Sequence, residues 1–251
     1  MSQESHPSIQ VVGRAFSLLE LLATTSEPLA TTDIAAHLGV SVQNANNLLR
    51  VLFHLGYVSQ DQSRRYRLGV QCCFLGSAAD RWRELRERCG PVLLELASLT
   101  GLGVFVGVIE NDRLYACVNI RPGERQILPP KQKWGNELHS TACGRVLLAA
   151  LTPSRRRRLF ARTQRRKLTP ATVTNTDALE AICRQVKREH YAEVRNESVD
   201  GVCSLAIPLH SPDGTVAAGL AFYGSSQSWD AIPLERKLTL LETARDQLER
   251  H

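Results

Sequence analysis

No run of this chain approaches the roughly 20 consecutive apolar residues that a membrane-spanning helix needs. The first ten residues, Met1 to Gln10, are polar where a secretory leader carries an apolar core. A cytoplasmic protein with no membrane partner is therefore expected. The seven cysteines, Cys72, Cys73, Cys89, Cys117, Cys143, Cys183 and Cys203, are odd in number and show neither metal-ligand pairs nor a disulfide framework. Most of them read as small core residues in a reducing compartment, and no cofactor is expected. Catalytic signatures are missing as well: there is no GxSxG, no phosphate loop and no pair of acids with supporting spacing. Gly101, Gly103 and Gly107 lie inside a strand pattern with no helix start behind them, which excludes a dinucleotide loop. His139 and Cys143, four residues apart, lack a third ligand at a metal-binding spacing. A nucleophile such as Cys143 or Cys203 near His139 is the only enzymatic constellation available, and it has no supporting residues.

A basic excess is also missing where one would look for it. The chain carries a formal charge of +6, yet residues 1–70 hold five arginines (Arg14, Arg50, Arg64, Arg65, Arg67) against five acids (Glu4, Glu20, Glu27, Asp33, Asp61). The surplus lies in residues 71–150, ten bases against eight acids, and in 151–251, sixteen against twelve.

What is present is most specific between Thr31 and Val58. There the apolar positions and one glycine are spaced for two crossed helices joined by a tight turn. The first would bury Ile34, Ala35 and Leu38, and Gly39 supplies a left-handed residue to end it. Ser41 follows as an N-cap. The second would bury Ala45, Leu48, Leu49, Leu52 and Leu55, leaving Val42, Gln43, Asn44, Asn46, Asn47 and Arg50 on its other faces. Asn and Gln pair bidentately with adenine and Arg with guanine, so this is the face of a major-groove reader. Gly56 closes the second helix. Residues Tyr57 to Leu68 read as a hairpin whose tip, Asp61 to Arg65, carries turn residues and two arginines. This is a winged helix. Ahead of it, Val11 to Ala23 is amphipathic, with Val12, Ala15, Phe16, Leu19 and Leu22 expected to complete a three-helix core. Gln43, Asn44, Asn46 and Asn47 are the candidates for the groove of a double-stranded operator. Ser41, Arg50, Arg64 and Arg65 are candidates for phosphate, and Arg14, Thr32 and Val42 complete the set.

A winged helix uses about 70 residues, so a second domain is expected. The organisation read from sequence is a DNA-binding domain over 1–70, a linker helix over 71–90 and a further domain over 91–251. Pro91 is expected to start a helix ending near Thr100. Two β-rich pairs then flank a turn at 110–112 and a Ser-Pro-Asp-Gly turn at 211–214. Between them lie helices at Ser140 to Ala150, Pro153 to Arg162 and Asp177 to His190, and the last helix covers Pro233 to Arg250. Strands on both sides of a helical middle indicate an α+β domain with one antiparallel sheet. The basic run Arg155 to Lys167 reads most simply as a solvated helix face, with an auxiliary DNA or acidic-partner contact as the alternative.

These segments resemble the IclR-type bacterial transcriptional regulators from about Val11 to Gly224. The most specific stretches are Val12 to Phe16, Leu49 to Val58, Arg65 to Gly69, Leu138 to Ala149 and Asp200 to Pro208. The resemblance implies a winged-helix domain, a linker helix and a GAF-like sensor domain that binds a small organic molecule, assembled as a homodimer or dimer of dimers. Matched position by position, it makes Leu128, Ala142, Cys143, Val194, Ser204, Ala221 and Tyr223 the effector-pocket candidates. Val194 stands where relatives that bind small keto acids carry aspartate, Ser204 where they carry cysteine, and Ala221 and Tyr223 where they carry serines. One charge is lost and one aromatic gained, which points to a larger, less polar effector such as an aromatic or cyclic acid. In the recognition helix Asn47 replaces the family's usual arginine. The reading is a ligand-responsive repressor of a catabolic pathway. The alternative is a winged-helix protein-interaction module without a DNA partner, for which the neutral charge of residues 1–70 is the best support.

Overall fold

The computed structural model describes residues 7–25, 27–79, 83–123 and 137–250, which divide into two compact units, 1–81 and 82–251.

The first unit holds three helices, α1 (Pro7–Thr24), α2 (Thr31–Leu38) and α3 (Val42–His54), a two-stranded wing, β1 (Val58–Gln60) and β2 (Tyr66–Leu68), and α4 (Gln71–Ala79). Ala30 has no side chain to cap α2, but its N–H donates to Asp33 Oδ2 at 3.3 Å, so the acid of the first turn closes that end. Gly39, at φ 63°, ends α2 in the left-handed region. The core is Leu18, Leu22, Ile34, Leu49, Leu52 and Val58, with Ala15, Leu19, Leu38 and Leu48 packed against it. Three residues expected inside are outside. Val12, Phe16 and Leu55 are each more than half exposed. The stripe that engages is Ala15, Leu18, Leu19 and Leu22. Val12 lies a turn ahead of it, Phe16 lies off it, and Leu55 stands past the last helical turn of α3. The wing is a three-segment sheet rather than a lone hairpin, since Leu29 and Tyr66 exchange backbone hydrogen bonds at 2.9 and 2.8 Å. At its base Gly69 meets Gly56 so closely that a Cβ would fall 2.2 Å from the Gly56 carbonyl oxygen.

The second unit opens with α5 (Arg83–Thr100), in which Pro91 is an interior residue and not the first. Proline withholds an N–H from the carbonyl four residues back, and that residue, Glu87, is exposed where water can serve. Residues 83–90 thus belong to the same helix as 91–100. Strands β3 (Gly103–Glu110) and β4 (Arg113–Ile120) turn through Asn111 and Asp112, both at positive φ as a two-residue hairpin turn requires. A 3-10 turn at Glu137–His139 leads into α6 (Ala142–Ala150), α7 (Pro153–Arg162) and α8 (Thr176–Glu189). After them come β5 (Ala192–Arg195), β6 (Val202–His210), β7 (Val216–Ser225), α9 (Ser226–Asp230) and α10 (Leu234–Glu249). The short strand β5 and helix α9 have no counterpart in the sequence pattern.

The five strands form one antiparallel sheet in the order β4-β3-β7-β6-β5. One face, with Val104, Val106, Leu205, Ile207, Leu220 and Phe222, packs on α5 and α10. The other, with Phe105, Ala116, Val194, Ala206 and Ala221, packs on α6, α7 and α8. The α+β expectation with an antiparallel sheet holds. Among the described residues no helix is long and apolar enough to cross a membrane.

One buried ion pair fastens α7 to α8. Arg156 reaches Glu180 twice, at 2.6 and 3.0 Å, and donates to the carbonyls of Leu148 and Leu151 at the end of α6. Arg156→Ala strands a half-buried carboxylate and two carbonyls, so the unfolding free energy of this unit should fall by about 3 kcal/mol. Urea denaturation followed by tryptophan fluorescence reads it. The hydrogen bonds from Arg156 hold the Glu180 carboxyl below its usual range. The stability from the pair is therefore complete above about pH 4.3 and is lost as pH falls through the lowered value. The gap between wild type and variant should close in acid.

Candidate functional site

Two sites arise, one in each unit. In the first, Ser41 is the N-cap of α3, its Oγ accepting from Asn44 N–H at 3.2 Å. With Ala45, Leu49 and Leu52 fixed in the core, the rest of the helix has no choice of direction: Val42, Gln43, Asn44, Asn46, Asn47 and Arg50 are all exposed. Gln43, Asn47 and Arg50 follow at steps of four and three along one stripe. Thr32 is exposed in the first turn of α2, and Arg14 is exposed on α1. In the wing, Asp61 organises the tip. Its carboxylate accepts from Arg65 N–H at 2.9 Å, and its backbone N–H donates to the Arg65 carbonyl at 2.9 Å. Arg64 sits at φ 58° and donates its backbone N–H to the Asp61 carbonyl at 3.1 Å. Both arginine side chains stay exposed.

In the second unit, Val194, Ser204, Ala221 and Tyr223 lie on the α6 face of the sheet, Ala142 and Cys143 are the first residues of α6 itself, and Leu128 lies outside the described residues. The register explains the assembly. Val194, Ser204, Tyr223 and Gly103 are direct partners across β5, β6, β7 and β3, and Ala206, Ala221 and Phe105 form the adjacent row. Ser204 Oγ accepts the N–H of Ala142 at 3.3 Å, tying the sheet to the first residue of α6. Cys143 is fully buried, its sulfur seated where Gly107 and Gly219 leave the strands bare, and it reaches the Gly219 carbonyl at 3.6 Å. Tyr223 lies across Gly103, meets Phe105 edge-on with ring centroids 5.9 Å apart, and donates its hydroxyl to Asn119 Oδ1 at 3.0 Å.

Three residues that the sequence pattern does not single out for this site belong to it. Phe105 and Asn119 hold Tyr223, and Gly103 makes room for its ring. Only Gly103 leaves a signal, an isolated glycine in a strand, which marks a close approach. Behind α6, Arg145 pairs with Glu197 at 2.6 Å and donates to the His139 carbonyl at 3.0 Å, both charged groups buried. Glu197 also accepts from Val173 N–H at 3.0 Å. His139 contacts the Arg166 carbonyl through Nε2 at 3.0 Å, so it braces a loop beside α6.

Three of the buried thiols are poor nucleophiles. Burial pushes Cys89 and Cys183 up to about 11 and Cys143 further still.

A winged helix with an exposed amide-rich recognition face, joined to a unit whose antiparallel sheet is covered by helices on both faces, is the architecture of a DNA-binding regulator with a small-molecule sensor. Comparison with known proteins agrees. Residues 11–62 match the IclR helix-turn-helix domain and residues 78–249 the bacterial transcriptional regulator IclR C-terminal domain. This chain belongs to the IclR family of bacterial transcriptional regulators. It is 34% identical to the glycerol operon regulatory protein of Streptomyces coelicolor over 206 residues, 81% of this chain and 80% of that one. It is 26% identical to the transcriptional regulator KdgR of Escherichia coli over 238 residues, 94% and 90% of the two chains. The fold matches the crystal structure of Thermotoga maritima IclR with a TM-score of 0.72 at 21% identity, covering 96% and 98% of the chains. It also matches an IclR homologue from Microbacterium hydrocarbonoxydans complexed with 4-hydroxybenzoate, with a TM-score of 0.73 at 18% identity and the same coverage. The protein is a ligand-responsive DNA-binding regulator, and a protein-interaction module without DNA is not favoured.

Native protein treated with iodoacetamide at pH 8 should leave Cys89, Cys143 and Cys183 unmodified. Mapping by mass spectrometry should find them labelled only after unfolding in guanidinium. Label on native Cys143 would show that the α6–sheet contact opens.

Proposed function

We propose that this protein represses the genes of a small-molecule catabolic pathway in the cytoplasm. It binds its operator as a homodimer or dimer of dimers and changes affinity when an effector enters the sensor unit. The carrying observation is the exposed row of Gln43, Asn44, Asn46 and Asn47 on a helix whose opposite face is locked in a core. These residues read bases. Ser41, Val42, Arg50, Arg64 and Arg65 take the flanking groove and phosphates, and Arg14 and Thr32 extend that contact. Pairing of two copies is supported by large apolar side chains left on the first unit, Val11, Val12 and Phe16 of α1 and Phe74 and Leu75 of α4 with Val70 just before it. No catalytic role is assigned to any residue.

The effector is an aromatic or cyclic acid, bounded by Ala142, Cys143, Val194, Ser204, Ala221 and Tyr223, with Leu128 from the segment before α6. Replacement of a family aspartate by Val194 and the ring of Tyr223 favour an apolar body, and Ser204 and the tyrosine hydroxyl supply polar anchors. The structural neighbour that holds 4-hydroxybenzoate supports the same class. A glycerol-type effector is the second reading, favoured by the 34% identity to a glycerol operon regulator. An effector shifts operator affinity only by its differential affinity for two conformations, typically about 1–3 kcal/mol.

Asn44→Ala or Asn47→Ala should weaken operator binding about 5- to 150-fold, the worth of one bidentate base pairing, with effector affinity unchanged. Gel shift on a genomically selected operator and calorimetry separate the two. Tyr223→Ala should do the converse, blunting the ligand response while apo affinity for the operator stays near wild type. In a calorimetric screen of aromatic acids, glycerol, glyoxylate and pyruvate, aromatic acids should bind tightest. Tight glycerol binding would establish the second reading, and tight keto-acid binding would sink both.

A further inference from the structure

Five arginines of the segment 155–167 take two different roles in the folded chain, and Arg157, Arg166 and Lys167 are exposed beside them. Arg156 and Arg165 work inside the unit. Arg156 holds Glu180, and Arg165 donates to the carbonyls of Phe160 and Thr174 and lies over the Phe160 ring, 5.2 Å from its centroid. Arg155, Arg158 and Arg162 face outward. Their spacing of three and four puts them on one face of α7, where with Leu159 and Asp112 they line a trough of about 520 Å³. The single acid there is engaged by Arg162 at 3.6 Å. Among the described residues Arg155 and Arg158 make no hydrogen bond or ion pair through their side chains.

Local helix energetics works against this row. Positive charge in the first turn opposes the positive end of the helix dipole, and α7 has no acid in that turn to offset it. Like charges three and four apart repel by a few tenths of a kcal/mol per pair. Asp112 offsets the charge of Arg162 alone, so Arg155 and Arg158 are left for an anion from outside. The shape of the row suits a linear one, because seven residues at about 1.5 Å rise span about 10 Å along the axis. A DNA strand presents a phosphate about every 3.4 Å of helix axis, so such a row faces about three. The charge balance points the same way: residues 1–70, which read the operator, hold five bases against five acids, and the surplus sits in the unit that carries α7.

We propose that the Arg155–Arg158–Arg162 face of α7 binds the sugar–phosphate backbone of DNA flanking the stretch read by α3 and the wing, as an auxiliary, sequence-independent contact. The inference rests on the DNA-binding function above. Its test uses the full chain, two duplexes and a salt titration. One duplex is limited to the operator, and the other holds the same operator centred in longer flanking sequence. Wild type should bind the longer duplex more tightly and with a steeper dependence of log K on log salt. In R155Q/R158Q/R162Q that steepness should fall by about 2–3 per protomer, at about 0.9 for each phosphate no longer neutralised. Affinity for the operator-only duplex should stay at the wild-type value. Thermal melting confirms that the exposed substitutions leave the fold intact.

Unchanged affinity and slope on the longer duplex would overturn the proposal. So would an equal loss on both duplexes, which would place the arginines at the operator itself. Loss of polyglutamate binding with the DNA slope intact would assign the face to an acidic protein and also overturn it. R64A/R65A serves as the control for the parent reading, since it should weaken both duplexes alike. If it changes neither, the wing assignment fails and the α7 result still stands on its own.

Discussion

Cys143 sits where two neighbouring strands carry no side chain, and much of the sensor unit follows from that contact. A Cβ at Gly107 would lie 2.8 Å from the sulfur and one at Gly219 would lie 2.7 Å from it. A Cβ at Gly144 would be 2.2 Å from the Leu138 carbonyl oxygen, so the turn before α6 is pressed against the helix as well. Two bare positions on the sheet and one on the helix let backbone meet backbone at distances that larger residues forbid. That closeness delivers the first N–H of α6 to Ser204 on β6. It also aligns one end of the helix with the row Val194, Ser204, Tyr223 and Gly103.

Polar groups brought so close to a dry sheet need partners, and the structure supplies them at both ends of α6. At the start Thr141 caps the helix through Gly144 N–H at 3.1 Å, and Arg145 with Glu197 satisfies carbonyls and amides of the adjoining loops. At the far end Arg156 collects the last carbonyls and carries its charge to Glu180. The Arg145–Glu197 pair is buried, the Arg156–Glu180 pair is buried on its arginine side, and both are hydrogen-bonded beyond the pair itself. Pairs of that kind define one arrangement more than they add stability, because desolvation offsets most of the attraction. A helix pinned at both ends moves as a body, so a displacement at its start is carried to its far end.

The periodic parts of this fold are legible in the sequence. The helix-turn-helix, the wing and both hairpins follow from apolar spacing and turn residues, since those features are local. Helix α5 reads as two pieces because Pro91 resembles a helix start, and only tertiary packing of Cys89, Val92 and Leu93 shows otherwise. Val12, Phe16 and Leu55 read as core because apolar spacing does not tell where a neighbouring helix ends. The base-reading candidates can be named because a helix with one face in a core must expose the other. The surroundings of Tyr223 cannot, since Asn119 lies 104 positions away in sequence and only strand register joins them. The same holds for Arg145 with Glu197 and Arg156 with Glu180. Side-chain pairing across a fold leaves no period to read.

The wing is held on three sides: by Leu29 through Tyr66, by the carbonyl of Tyr57, which accepts from Gly69 N–H at 2.8 Å, and by the near contact of Gly69 with Gly56. Wing and recognition helix therefore meet a duplex as one stiff template. A mismatch between template and groove must be taken up by the nucleic acid, whose bending energy depends on the base steps being bent. A stiff template of this kind discriminates among duplexes partly by how readily their pyrimidine–purine steps deform.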